Sequence, residues 1–91
     1  MPRPRKGRRI RFRPESYYFK PQGVPMRTLE EIMLQKDEAE ALRLKNLEGL
    51  NQKECAKRMD TSQSTFQRIL SSAYKKVSEA VIKGKAIRIE R

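Results

Sequence analysis

From Phe66 onward, apolar residues recur at steps of three and four: Phe66, Ile69, Leu70, Ala73, Val77 and Val81. That spacing predicts a long helix with one buried face. Ser62 can cap its start by accepting from a first-turn amide, and Lys83 followed by Gly84 marks its end. Three earlier segments have the form of a capping box, Thr28-x-x-Glu31, Asp37-x-x-Glu40 and Asn51-x-x-Glu54. They predict helices over 29–35, 38–47 and 52–59, with Gly49 as a left-handed cap after the second. Lys85 to Glu90 alternates instead, with Ile87 and Ile89 sharing a face, and reads as a strand. Arg8 to Arg13 alternates in the same way, with Ile10 and Phe12 on one face. The expected fold is mainly α: a small helical bundle, short terminal β-strands and a basic N-terminal arm.

All five prolines fall at or before Pro25, which removes helix from that region. The chain therefore divides into a basic, Pro-rich arm with an extended aromatic loop over 1–27, a helical domain over 28–83 and a C-terminal strand over 84–91. Tyr17, Tyr18 and Phe19 can stack on bases beside Lys20 or close over a small core, and the core reading is preferred. The two terminal strands need partners, either each other or a second chain, because an isolated ribbon is marginal in water.

Residues 52–71 have the spacing of a DNA-binding helix-turn-helix. Two helices that cross steeply need a small residue at the contact, and Ala56 stands there. Cys55 and Met59 with Phe66 and Ile69 then form the core that sets the angle. At the turn Asp60 occupies a position that often takes positive φ, which Asp tolerates better than most residues. Thr61 replaces the usual apolar residue that follows. This leaves Gln63, Ser64, Gln67, Arg68 and Ser71 outward on the second helix, the face that enters a major groove. Arg can pair with guanine, Gln with adenine and Ser with either. Lys53, Lys57, Lys75 and Lys76 are placed to meet phosphates, which set register without reading sequence.

Charge strengthens that picture. Among 91 residues, 22 are Lys or Arg and 11 are Asp or Glu, for a net charge of +11. Residues 1–27 carry +8, residues 28–50 carry −3 and residues 51–91 carry +6. Two basic blocks around an acidic one suit a polyanion partner. Arg3, Arg5, Lys6, Arg8 and Arg9 in the arm are further phosphate candidates, placed along the backbone or in the adjacent minor groove. The single cysteine, Cys55, excludes an internal disulfide, reads as a core residue and fits a reducing cytoplasm. With no histidine, metal sites and nucleophilic triads lose their commonest members. No metal, cofactor or catalytic residue is expected, and the composition points away from an enzyme. No apolar run exceeds three residues, so no membrane span or secretory leader is expected.

The chain resembles the domain-of-unknown-function family one hundred and thirty-four, small bacterial and archaeal proteins predicted to bind DNA. The resemblance rests on Pro2-Arg3-Pro4-Arg5-Lys6 with Arg8-Arg9, and on the run from Tyr18 to Pro25, Tyr-Phe-Lys-Pro-Gln-Gly-Val-Pro. It continues through Leu29-Glu30-Glu31, the run Asp37 to Leu44, Leu47-Glu48-Gly49-Leu50, Thr65-Phe66-x-Arg68-Ile69-Leu70 and Gly84 to Glu90. The family's helix-turn-helix is similar to the promoter-reading fourth region of bacterial sigma factors. That likeness implies a tri- or tetra-helical DNA-binding fold in which residues 38–47 support the motif. This chain has Gln63 where members often carry Arg, and Gly7 where many carry Cys. A base preference at the first position and a metal or redox role at the second therefore do not carry over. The combined expectation is a sequence-specific, double-stranded-DNA-binding transcriptional regulator, acting as a homodimer with no small-molecule ligand. The alternatives are an RNA-binding or ribosome-associated module using the arm and aromatic loop, and a polymerase- or protein-interaction module.

Overall fold

A computed structural model describes Ile10 and residues 13–91. The expected strand over Arg8–Arg13 and most of the basic arm lie outside the described residues, apart from Ile10 and Arg13. The chain runs through strand β1 (Tyr18–Phe19), a 3-10 turn (Met26–Thr28) and strand β2 (Glu31–Leu34). Helix α1 (Lys36–Leu42), continued by a π turn (Arg43–Leu47), precedes α2 (Gln52–Arg58), α3 (Gln63–Lys83) and strand β3 (Ala86–Ile89). The fold is mainly helical with one small sheet in the order β1-β3-β2.

The sheet accounts for the first correction. The segment expected as a helix over 29–35 is β2, paired in parallel with β3 from Glu31 opposite Ala86 to Leu34 opposite Ile89. Thr28 does not cap a helix; its hydroxyl and its amide both donate to the Pro25 carbonyl, at 3.1 and 3.2 Å. Glu31 does not fold back to Thr28 but takes Arg88 in a fork, Nε and Nη2 donating at 3.1 and 2.9 Å. A seven-residue helix is barely stable by itself, whereas β3 offers this segment a complete ladder and buries Leu34. Tyr18 and Phe19, expected in a loop, form the antiparallel neighbour of β3 on its other side, opposite Arg88 and Ile87. The C-terminal strand thus finds both partners inside its own chain.

Helix α1 begins earlier than the expected 38. Asp37 does not cap it, because the helix already includes Lys36 and the Gln35 amide donates to Glu38 Oε1 at 2.8 Å. Glu40 is taken by Arg43, with Nε and Nη2 donating at 2.9 and 3.0 Å. The other starts and stops follow the sequence. The Asn51 side chain accepts from the Glu54 amide at 2.8 Å, and Ser62 accepts from the Thr65 amide at 3.1 Å. Gly49 and Gly84 have φ of 72° and 68°.

Two apolar clusters hold these elements. Ala41 and Leu44 of the first helical segment pack with Cys55, Ala56, Met59, Phe66, Ile69 and Leu70. Burying side chains the size of Leu44 or Phe66 contributes about 1.5–3 kcal/mol each. Nearer the sheet, Leu34, Ala39 and Ala73 meet Val77, Ile87 and Ile89. The stripe of α3 is inward as expected through Val77, but Val81 is 70% exposed while Ala80 is 4% exposed. The inward register therefore passes from Val77 to Ala80 and leaves Val81 outside.

Candidate nucleic-acid interface

The turn between α2 and α3 carries a left-handed residue at the position the sequence singles out. Asp60 adopts φ 59°, the left-handed conformation expected there. The Met59 amide closes on the Cys55 carbonyl and the Thr61 amide on the Ala56 carbonyl, both at 3.0 Å. Ala56 is 2% exposed, and Cys55, Met59 and Phe66 are fully enclosed. A small residue at the contact and a rigid core around it fix how α3 stands against α2. Burial pushes the Cys55 thiol above its ordinary value, so the group packs as a neutral thiol.

On the side of α3 away from this core lie Gln63, Ser64, Gln67, Arg68 and Ser71, all exposed. Their spacing puts Ser64, Gln67, Arg68 and Ser71 on one face, and Lys75 one turn further along it. Two of them have neighbours on the helix itself. Gln67 Nε2 donates to Ser71 Oγ at 3.2 Å, and Arg68 Nη2 reaches Thr65 Oγ1 at 3.5 Å. Between Gln63 and Ser78 the helix carries no acidic residue, and none stands in its first turn. Its N-terminal dipole and its Arg and Lys side chains therefore act with the same sign.

Lys53 and Lys57 are exposed on α2, and Lys75 is exposed on α3. Lys76 is placed differently. Its ammonium donates to the Met33 carbonyl and to Glu38 Oε1, both at 2.9 Å, so it ties α3 to β2 and α1. Glu38 is 4% exposed and also accepts from the Ser72 hydroxyl and the Gln35 amide. Burial by itself would raise this carboxyl, but the hydroxyl, the amide and the ammonium outweigh it and hold it below its ordinary 4.5. Lys76 is therefore a structural cation and leaves the phosphate set. Arg3, Arg5, Lys6, Arg8 and Arg9 lie outside the described residues.

Two contributors carry no local sequence signal. Gln52 Nε2 donates to the Gln63 carbonyl at 3.3 Å, joining the start of α2 to the start of the outward face. The Glu38–Ser72–Lys76 cluster joins residues 34 and 38 positions apart. Nothing at either end announces such a contact; only the folded chain assembles it. Among the described residues, no helix is long and apolar enough to cross a membrane.

Comparison with known proteins places the whole chain. A UPF0251 protein of Halothermothrix orenii is 52% identical over 90 residues, covering 99% of this chain and 67% of that one. A UPF0251 protein of Desulforudis audaxviator is 56% identical, with 99% of this chain and 59% of the relative covered. A third, from Dehalococcoides mccartyi, is 57% identical, with 99% and 77% covered. The chain thus spans between about three fifths and about three quarters of the length of these relatives. No solved structure matches it. A family described as "Protein of unknown function DUF134" matches residues 1–91, and the chain belongs to that family.

Proposed function

We propose that this protein binds double-stranded DNA and reads its sequence through the outward face of α3, as a transcriptional regulator. The observation that carries this reading is the acid-free face of Gln63, Ser64, Gln67, Arg68 and Ser71, standing on a turn whose angle is set by a buried core. These are the side-chain types that match base edges in a major groove. Arg68 suits guanine O6 and N7, Gln63 and Gln67 suit adenine N6 and N7, and the serines suit either. Lys53, Lys57 and Lys75 supply phosphate contacts from the described residues, and the arm cations Arg3, Arg5, Lys6, Arg8 and Arg9 extend them. A net charge of +11 concentrates the protein on a polyanion before any base is read.

The C-terminal strand gives no reason to invoke a dimer, since β3 is paired on both sides within the chain. The reason that remains is recognition length. A single small module reads few bases, and a second copy one DNA turn away, about 34 Å, doubles the site.

The reading is tested by titrating the protein into labelled random-sequence duplex across a range of salt. Contacts to roughly six to eight phosphates predict a log–log slope of about −5 to −7. Lys53→Ala with Lys57→Ala is expected to reduce that slope by about two. Absence of duplex binding at low salt would overturn the proposal.

A further inference from the structure

The outer face of the sheet forms a groove of about 600 Å³. That volume falls in the range of small-ligand sites. It is lined by Tyr17, Tyr18, Met33, Arg88 and Arg91, together with the acidic Glu15 and Glu90. Two flat cations already lie on two aromatic rings there. Arg91 Cζ is 4.1 Å from the Tyr17 ring centroid, and Arg88 Cζ is 4.5 Å from that of Tyr18. The Glu31 fork fixes Arg88 through Nε and Nη2, with Nη1 outside the fork. Met33, 47% exposed, adds an apolar side chain to the lining.

We infer that this groove binds a nucleobase carrying a phosphate. The base takes the place of the Arg91 guanidinium on the Tyr17 ring, a face already shown to accept a flat group at stacking distance. Met33 covers the opposite edge. The displaced Arg91 and the anchored Arg88 meet the phosphate, a role for which guanidinium geometry is suited. Glu15, which lines the groove, supplies a carboxylate acceptor for an exocyclic amino group, which favours adenine, cytosine and guanine over thymine and uracil. No part of this site is shared with the outward face of α3, so it stands or falls independently of duplex reading.

The test uses intrinsic fluorescence, because the chain has no tryptophan and three tyrosines, two of them in the groove. In a Tyr74→Phe background, adenosine monophosphate, a twelve-nucleotide single-stranded oligo-adenylate and inorganic phosphate are titrated separately. Stacking is expected to quench emission and to give saturable binding that weakens about tenfold or more in Tyr17→Leu. Arg91→Gln, at an exposed position, tests the same site without touching the core and is expected to weaken binding as well. Mononucleotide binding equal to that of the oligonucleotide identifies a free nucleotide as the ligand, and clearly tighter oligonucleotide binding identifies a strand. No quenching by either, equal binding of inorganic phosphate, or full binding retained by both variants would overturn the inference. Duplex binding measured on the same variants is expected to be unchanged.

Discussion

At Asp60 the backbone takes φ 59°, where an L-residue's Cβ crowds the following carbonyl. Asp tolerates this because its short side chain bonds locally, and Gly would tolerate it with no steric cost. Asp60→Gly is therefore expected to leave the urea midpoint unchanged or raised, while Asp60→Val lowers stability by about 1–2 kcal/mol. Equal midpoints for both variants would show that the turn is not held in this conformation. Position 60 was legible from sequence because a turn residue's φ is a local property. Lys76 was not. Its spacing on α3 resembles that of a phosphate contact, and only the arrival of Glu38 and Met33 from distant segments gives it another task.

Between elements, the buried Glu38 joins α1 to α3. Its carboxyl is held below 4.5 in the folded chain, so it adds stability above that value. The contribution is lost as pH falls through the lowered folded value. Glu38→Gln is expected to cost about 1–3 kcal/mol at pH 7, by removing a charge-assisted partner from Lys76 and Ser72. It should also flatten the fall of stability on acidification, read from urea melts between about pH 3 and 7. An unchanged slope would mean that Glu38 is not the titrating group. The α3 stripe offers a second test. Val81→Ser is expected to shift stability by less than about 0.5 kcal/mol, whereas Ala80→Leu costs about 1–3 kcal/mol by overpacking. The reverse order would restore the register that periodicity alone suggests. Helix starts at Asn51 and Ser62 and the stop at Gly84 were readable because caps are local chemistry. The segment around Ile32 was not, since Leu29, Ile32, Met33 and Leu34 fit a helical turn and a strand equally well. The deciding partner, β3, lies more than fifty residues away.

At the scale of the molecule, the described residues form a bundle and a sheet that share their packing, so the aromatic segment and C-terminal strand are not appendages of the helices. Leu34 of β2 and Ile87 and Ile89 of β3 pack with Ala73 and Val77 of α3. Two surfaces are left for different work: the polar, acid-free face of α3, and the aromatic and arginine-lined groove on the sheet. The first is the proposed reading surface. Charge alone would bind any duplex and fade with salt; reading requires Gln67 and Arg68 to distinguish base edges. The direct test is selection of bound sequences from random duplex DNA at about 150 mM salt, where phosphate-only binding is weakened. The protein is compared in parallel with a Gln67→Ala, Arg68→Ala double variant. An enriched motif is expected with the native chain, palindromic if two copies bind, that the variant loses while keeping its fold. Equal recovery of all sequences by both proteins would contradict it.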